Sequence, residues 1–145
     1  MASDEPPKME ACNCLAIRQA ARHVTQFYDQ ALAASGLRTT QLSILAKLQS
    51  QGPLSINILA EQLVMDRTTL GRNVLPLERE GLIEIAPGSA DRRRKELRLT
   101  KAGIARLRAA AAGWAKAQAR FEEVFGRKQS VALRQLLDHV VSSRF

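Results

Sequence analysis

Apolar residues recur at helical spacing along most of the chain, and the longest of these patterns lie at its two ends. Residues 12–34, 101–125 and 128–143 carry apolar positions separated by three and four residues, which is typical of amphipathic helices. In residues 101–125 the spacing continues as a heptad seam, the pattern by which helices pair along their length. The seam consists of Ile104, Leu107, Ala111, Trp114, Gln118, Phe121 and Phe125.

Turn and capping residues divide the middle of the chain into shorter elements. Thr39 is the predicted N-cap of a helix that continues to about Gln51, and Gly52 ends that helix. Leu54 follows as a predicted one-bridge strand. Ser55 is then the predicted N-cap of a second, short helix. In a helix-turn-helix of this kind, the helix that reads DNA is preceded by two helices, so a third helix is expected after these two.

That third helix is predicted from Asp66, a favourable N-cap, to Gly81, which suits the residue just after a helix end. Pro76 lies inside it and removes one backbone hydrogen bond, so we expect a kink there rather than an end, because the apolar spacing continues past it. The apolar face consists of Leu70, Val74 and Leu77, and the opposite polar face carries Arg67, Thr68, Arg72 and Asn73.

A hairpin is predicted directly after this helix. Residues 82–85 and 96–99 alternate with period two, as antiparallel strands do. The loop between them ends in Asp91 followed by four consecutive cations, Arg92 to Lys95. From residue 91 onward the chain holds fourteen Lys and Arg against five Asp and Glu, so the excess of the total charge of +8 begins at the hairpin tip. This distribution favours a polyanionic partner, and the alternative is a membrane surface, which also attracts basic patches.

A helix with donor side chains followed by a hairpin tipped with arginines predicts a winged helix-turn-helix that binds double-stranded DNA. The alternative is an amphipathic helix and a hairpin whose charge run is only a solvated surface. The predicted fold is mainly α with a small β-wing. It comprises a disordered tail at 1–10 and a single domain over 11–145, with the winged unit at 37–100.

The terminal helical segments, 11–35 and 101–145, have apolar stripes that a small winged unit cannot cover. We therefore expect a helical dimerisation module built from both ends of the chain, and a homodimer that places two reading helices in successive major grooves. The alternative is a monomer in which these helices pack on each other. Exposed apolar seams are rare on monomers, which favours the dimer.

Several classes of protein are disfavoured by the composition. No segment approaches the ~18 apolar residues of a membrane span, and the N-terminus lacks the apolar region of a signal peptide, so we expect a cytoplasmic protein of a cell without a nucleus. Two cysteines do not make a disulfide framework. No metal-ligand spacing, catalytic motif or cofactor motif is present, and we expect no enzyme activity, metal or cofactor.

With these elements placed, residues 12–143 resemble the MarR family of bacterial transcription regulators. The resemblance rests on Leu59–Glu84, on the Asp91-x-Arg93 pair of the wing and on Leu99-Thr100-x-x-Gly103. It implies a dimeric winged helix-turn-helix protein, in most members a repressor of a pseudo-palindromic operator. It also implies release from DNA by a small, often aromatic or phenolic, ligand bound near the junction of the dimer helices and the winged unit.

The resemblance also implies roles for individual residues. The reading helix would enter the major groove, and Arg93 of the wing, oriented by Asp91 and flanked by Arg92 and Arg94, would reach the minor groove. Helix N-termini can bind phosphates through free N–H groups, and Thr39, Thr40, Gln41 and Ser55 lie at such ends. The major-groove set is Arg67, Thr68, Thr69, Arg72 and Asn73.

Cys14 falls at the position of the redox cysteine in peroxide-sensing members of the same family. Tyr28 stands where one tyrosine partner of that cysteine is found, whereas Arg18 replaces the other. Cys12 and Cys14 should not bridge each other, since positions i and i+2 of a helix point in different directions. The alternatives for Cys14 are a peroxide-sensing thiol and a buried structural thiol.

Two further function classes compete with a specific regulator. A non-specific architectural DNA binder would use the basic wing without reading bases, and it would bind operator and random DNA equally at one salt concentration. A protein-interaction adaptor would show no salt-dependent binding to DNA at all.

Overall fold

The computed structural model describes residues 4–145, and its elements follow the predicted order. Six α-helices and a three-stranded antiparallel sheet account for most of these residues, as the fold-class prediction required. Short 3₁₀ turns lie at Met9–Ala11 and Ala33–Ser35. The elements are α1 (Asn13–Leu32), α2 (Thr39–Gln51), β1 (Leu54–Ser55), α3 (Ile56–Leu63), α4 (Arg67–Arg79), β2 (Ile83–Pro87), β3 (Lys95–Leu99), α5 (Lys101–Phe125) and α6 (Arg127–Ser142).

At the starts of α3, α4 and α5, a side-chain oxygen accepts a hydrogen bond from a free backbone N–H. Ser55 accepts from the backbone of Ile58 at 3.3 Å, and Asp66 accepts from that of Thr69 at 2.8 Å, so both predicted N-caps are confirmed. Thr100 caps α5 in the same way, accepting from Gly103 at 3.0 Å. Pro76 lies inside α4 without ending it.

The C-terminus of α4 has the geometry that Gly81 predicted. Gly81 adopts φ 71°, a left-handed conformation that favours glycine. Its N–H donates to the carbonyl of Glu78 at 2.9 Å, and the N–H of Leu82 donates to that of Leu77 at 2.9 Å. These two bonds form a Schellman motif, which satisfies the last carbonyls of the helix and turns the chain into β2.

The predicted N-cap role of Thr39 is wrong. Thr39 is the first residue inside α2, and Arg38 precedes it as the cap. The acceptor for the free backbone N–H of Thr39 comes from α1, because the carboxylate of Asp29 accepts from both the N–H and the hydroxyl of Thr39 at 2.7 Å. A capping contact from another helix has no local signal in the sequence around residue 39.

The hydrophobic core lies between the sheet and helices α2 to α4, and Leu32 of α1 and Ala110 of α5 also belong to it. The strand order is β1-β3-β2, and Leu97 of the central strand pairs with Leu54 on one side and Ile85 on the other, which confirms the predicted short strand at Leu54. The large apolar side chains that are almost fully buried are Leu32, Leu37, Ile44, Leu45, Leu48, Leu59, Leu70, Val74, Leu77, Leu82, Ile83 and Leu97.

Helix α5 contacts α1 through small residues and also through Gln118 of the heptad seam, which accepts a hydrogen bond from Tyr28. Gly103, Ala110 and Ala117 are its buried positions. A Cβ added to Gly113 would overlap the backbone carbonyl of Ala31, so the two helices approach closely at that point. Among the apolar seam residues, Leu107 packs against the hydrophobic core, whereas Trp114 and Phe125 are left substantially exposed.

Helix α6 presents most of its apolar residues to the outside of the chain. Its one buried residue is Ser130, whose hydroxyl donates to the carbonyl of Gly126 at 2.7 Å. Within residues 4–145 no helix is both long and apolar enough to cross a membrane. The predicted disordered tail, 1–10, lies partly outside the described residues, and its disorder stays a prediction. The exposed apolar residues of α6 are Val131, Leu136, Leu137, Val140 and Val141.

Candidate nucleic-acid interface

Helix α4 has one face in the core and an opposite face that projects from the molecule. Successive residues of a helix turn by about 100°, which places Leu70, Val74 and Leu77 together on the buried side. Thr68 and Arg72 lie on the opposite side and are exposed. The same spacing adds two exposed residues that the predicted polar face did not include, Leu75 and Arg79.

The predicted reading residues differ in how free their polar groups are. Arg67, Thr68 and Arg72 are exposed. The hydroxyl of Thr69 donates to the carboxylate of Asp66 at 2.8 Å. Asn73 lies on the flank of the helix, where its side-chain amide donates to the backbone carbonyl of Thr69 at 2.9 Å.

The start of α4 is fixed by a charged cap. Two hydrogen bonds from Thr69 hold the pKa of Asp66 below its ordinary value, because they stabilise the ionised carboxylate. The bond from the backbone N–H has the larger effect, and the bond from the hydroxyl has the smaller one. An ionised carboxylate at a helix N-terminus also matches the positive end of the helix dipole. The N-terminus of the reading helix is therefore capped by a carboxylate that is ionised at neutral pH.

The tip of the wing is a tight turn held by backbone hydrogen bonds. The N–H of Gly88 donates to the carbonyl of Arg94 at 2.7 Å, and that of Arg94 donates to the carbonyl of Asp91 at 3.1 Å. A Cβ at residue 88 would lie 2.7 Å from the carbonyl oxygen of Asp91, so the turn requires a glycine. The side chain of Asp91 accepts from the backbone N–H of Arg93 at 3.0 Å.

This turn presents the wing arginines to solvent. Arg92, Arg93 and Arg94 are exposed, and none of the ion pairs within residues 4–145 involves them. Asp91 supports the turn through the backbone of Arg93 and makes no ion pair with its guanidinium in this part of the chain. Three cations without an acidic partner among these residues form a surface suited to phosphate oxygens.

The helix ends predicted to contact phosphates are not equally available. Both donors of Thr39 are taken by Asp29, so the N-terminus of α2 already has an anion beside it. The side-chain oxygen of Gln41 accepts from the backbone of Arg38 at 3.0 Å, which leaves its amide nitrogen free to donate. Thr40 is half-buried, and Ser55 accepts as a cap while its own hydroxyl hydrogen is free to donate.

Two cavities lie between the long helices, and Tyr28 and Thr39 border both. The first, about 470 Å³, lies between α1, α2 and α5, with Leu107 and Trp114 on one wall. The second, about 580 Å³, lies between α1, α5 and α6. The hydroxyl of Tyr28 donates to the side chain of Gln118 at 2.6 Å, and burial, followed by the charge of Glu122, raises the pKa of this phenol.

The two cysteines lie at the start of α1 as free thiols. Cys14 is exposed, which disagrees with the alternative of a buried structural thiol, and Cys12 is half-buried with its sulfur accepting from the backbone of Leu15 at 3.4 Å. Tyr28 lies fourteen residues further along the same helix, about 21 Å away at 1.5 Å per residue. Contact between Cys14 and Tyr28 within one chain is therefore impossible. No group of three or more potential metal ligands occurs within residues 4–145.

The proteins that are similar to this chain are transcriptional regulators. A model described as the MarR family matches residues 37–95. The transcriptional activatory protein BadR of Rhodopseudomonas palustris is 32% identical over 101 residues, and the match spans 66% of this chain and 58% of the relative's length.

Solved structures extend the similarity to nearly the whole chain. The transcriptional regulator MosR of M. tuberculosis, in complex with DNA, is 35% identical with a TM-score of 0.74, and the match covers 89% of this chain and 98% of that one. BpsR of Bordetella bronchiseptica, whose DNA binding is regulated by 6-hydroxynicotinic acid, is 20% identical. Its TM-score of 0.84, with coverage of 97% and 100%, indicates the same fold.

Proposed function

This chain belongs to the MarR family of transcriptional regulators, a family of DNA-binding proteins and not of enzymes, and from this premise we propose its particular mode of action. It acts as a homodimer that binds a pseudo-palindromic operator and represses transcription. A small aromatic or phenolic ligand releases it from the DNA. The reading residues are those of α4, and the wing arginines bind the flanking backbone and minor groove.

The observation that carries this proposal is the pairing of two exposed cationic surfaces that are built differently. Arg72 projects from α4 on the side opposite the core, where a side chain can enter the major groove. Arg92, Arg93 and Arg94 project from a hydrogen-bonded turn and have no acidic partner in the described chain. The first surface is suited to base edges, and the second to phosphates and a narrow minor groove.

The apolar surface of α6 supports the homodimer. Leu136 is 64% exposed and Val141 is 62% exposed, and they belong to a continuous stripe along the helix. A stripe of this kind is covered in stable proteins by a partner surface. A second copy offers the same stripe, and a two-fold arrangement would bury both at once while setting two copies of α4 on one face.

The cavity bordered by α1, α2 and α5 supports release by a ligand. Its volume of about 470 Å³ falls in the range of sites for small molecules, and its walls are mostly apolar. The polar side chains that line it are Tyr28, Thr39, Ser43, Gln49 and Arg108. It touches both a predicted dimer helix and the winged unit, so a bound ligand would bias their relative position. The fold is shared with BpsR, for which a small aromatic acid regulates DNA binding.

The test uses fluorescence anisotropy with a duplex selected by the wild-type protein from a random-sequence library, compared with random DNA at one fixed salt concentration. Arg72→Ala should lose about 1–3 kcal/mol on the selected duplex and little on random DNA, because a bidentate base contact discriminates by that amount. Arg92→Ala should weaken binding to both DNAs. A plot of the logarithm of the binding constant against the logarithm of the salt concentration should also have a smaller slope, by about one for each phosphate that the variant no longer neutralises. Arg93→Ala should show some of each effect.

Equal losses on both DNAs for Arg72→Ala would indicate a non-specific architectural binder instead. Absence of any salt-dependent binding by the wild type would indicate a protein-interaction adaptor. The sign of regulation is tested with a reporter gene behind the selected duplex, since the relative BadR is an activatory protein. Expression that rises on adding the regulator would contradict repression.

The exposure of Cys14 supports a second candidate, a thiol-based response to organic peroxide. The thiolate would attack the peroxide oxygen, giving a sulfenic acid and the alcohol derived from the peroxide. Peroxide should then release the wild type from the selected duplex, dithiothreitol should restore binding, and Cys14→Ser should not respond. Cys12→Ser should matter only if the two thiols pair across subunits. Wild type that stays bound while its thiols are oxidised would exclude this candidate.

A further inference from the structure

An exposed leucine interrupts the polar face of the reading helix. Leu75 is 49% exposed on α4, and it lies opposite the buried Leu70, Val74 and Leu77 rather than beside them. It takes no part in the hydrophobic core that these three residues form. About half of the surface of Leu75 is therefore open to solvent and available to a binding partner.

The neighbours of Leu75 indicate what it faces. Arg72 precedes it by one turn and Arg79 follows it by one turn, and all three lie on the same side of the helix. Leu75 thus has one cation on each side. This arrangement is complementary to a major groove, because phosphates border the base edges there and the cations can approach the phosphates while the apolar group faces the bases. The one apolar group that a base edge displays in that groove is the C5-methyl of thymine.

We propose that Leu75 is a specificity-determining residue that contacts the C5-methyl group of a thymine in each operator half-site. This inference rests on the proposed function, because it requires α4 to lie in the major groove. It extends the predicted set of reading residues, all of which are polar, by one apolar contact. Pro76, half-buried beside it, prolongs the apolar edge along the same turn.

The experiment removes the methyl group from the DNA and the isobutyl group from the protein, separately and together. The probe is the duplex selected by the wild-type protein, with each thymine in turn replaced by deoxyuridine, which pairs identically and lacks only the methyl. At the contacted position the wild type should lose about four-fold in affinity, the value of one buried methyl group. Leu75→Ala should bind the thymine and uracil forms equally.

Two variants control for general effects. Ile58→Ala truncates an aliphatic residue of α3 that is similarly exposed, at 44%, and it should keep the full sensitivity to deoxyuridine. Leu75→Met keeps an apolar side chain and should also keep the sensitivity to deoxyuridine. Circular dichroism melts should agree between Leu75→Ala and wild type, since the residue contributes no core packing.

The inference is overturned if no thymine position distinguishes wild type from Leu75→Ala, or if Leu75→Ala loses the same factor on random DNA. These outcomes leave the proposed function intact, because the wild type still selects a sequence. A wild type that selects no sequence at all would instead contradict the proposed function itself, so the two failures are distinguishable.

Discussion

The hydroxyl of Thr100 donates a hydrogen bond to the backbone carbonyl of Gly81 across 2.6 Å, joining the start of α5 to the end of the reading helix. The same hydroxyl accepts from the N–H of Gly103 at 3.0 Å, and the N–H of Thr100 donates to the carbonyl of Leu82 at 3.1 Å. A Cβ at residue 103 would overlap that carbonyl of Leu82. Helix α5 is therefore attached rigidly to the point where α4 turns into the sheet.

The first prediction removes the hydroxyl at this junction. Thr100→Val keeps the shape of the side chain but loses both the cap of α5 and the bond to Gly81, so the free energy of unfolding should fall by about 2 kcal/mol. Urea unfolding followed by circular dichroism measures the change. Thr100→Ser restores both hydrogen bonds and should recover most of the loss. A Thr100→Val variant as stable as wild type would mean that solvent replaces these bonds at no cost.

The second prediction concerns strain in the turn between α3 and α4. Val64 adopts φ 54°, the left-handed region that β-branched residues rarely occupy, and its side chain is 69% exposed. Val64→Gly should therefore raise the free energy of unfolding, by about 1 kcal/mol, because it relieves the strain without removing core packing.

Val124 provides the matched control for this substitution. It is also 69% exposed, but it lies within α5 at a helical position. Val124→Gly should lower the free energy of unfolding slightly, since Val124 lies in the last turn of α5 and glycine loses more backbone entropy than valine in a helical conformation. Urea unfolding of the two variants should thus shift in opposite directions, and a destabilised Val64→Gly would show that the turn depends on the valine side chain.

Features set by neighbouring residues could be predicted from the sequence. Asp66 and Ser55 cap helices through bonds to residues three positions ahead, and Gly81 ends α4 through bonds within the same turn. The span of α5, residues 101–125, was also predicted because Thr100 and Gly126 limit it on both sides. Such signals are local, and the rest of the fold does not alter them.

Features set by distant residues could not be predicted. The acceptor for Thr39 is Asp29, which lies in another helix, and the hydroxyl of Tyr28 binds Gln118 ninety positions away. The heptad pattern of α5 does not single out Gly113, which lies against the backbone of Ala31 in α1, because close approach of two helices favours small side chains. Leu75 was not predicted, because an apolar residue does not fit a face defined by its hydrogen-bond donors.

The third prediction concerns acid. The pKa of Asp66 is held below its ordinary value of 3.8, so its cap stabilises the folded state fully above that value, and the contribution is lost as the pH falls through the lowered pKa. Asp66→Asn keeps a capping oxygen but cannot titrate. The difference in free energy of unfolding between wild type and Asp66→Asn should therefore be constant near neutral pH and should change in favour of the variant below about pH 4. Urea unfolding at a series of pH values measures it, and a difference that does not change in acid would contradict a charged cap.

The last prediction tests the homodimer at its apolar stripe. Leu137 and Val140 are 41% and 40% exposed on α6, so glutamate at both positions should leave the single chain folded while placing charge in the shared interface. Wild type should show twice the chain mass of 16.0 kDa by light scattering at micromolar concentration, and Leu137→Glu with Val140→Glu should show the single-chain mass. Binding to the selected duplex should fall together with the dimer, because one subunit reaches only one half-site.

Ile58→Glu adds charge at a similarly exposed residue of the winged unit and should leave the mass unchanged. A wild type that is folded and monomeric at this concentration would contradict the dimer, and a double variant that keeps the dimer mass would place the interface on another face of the terminal helices.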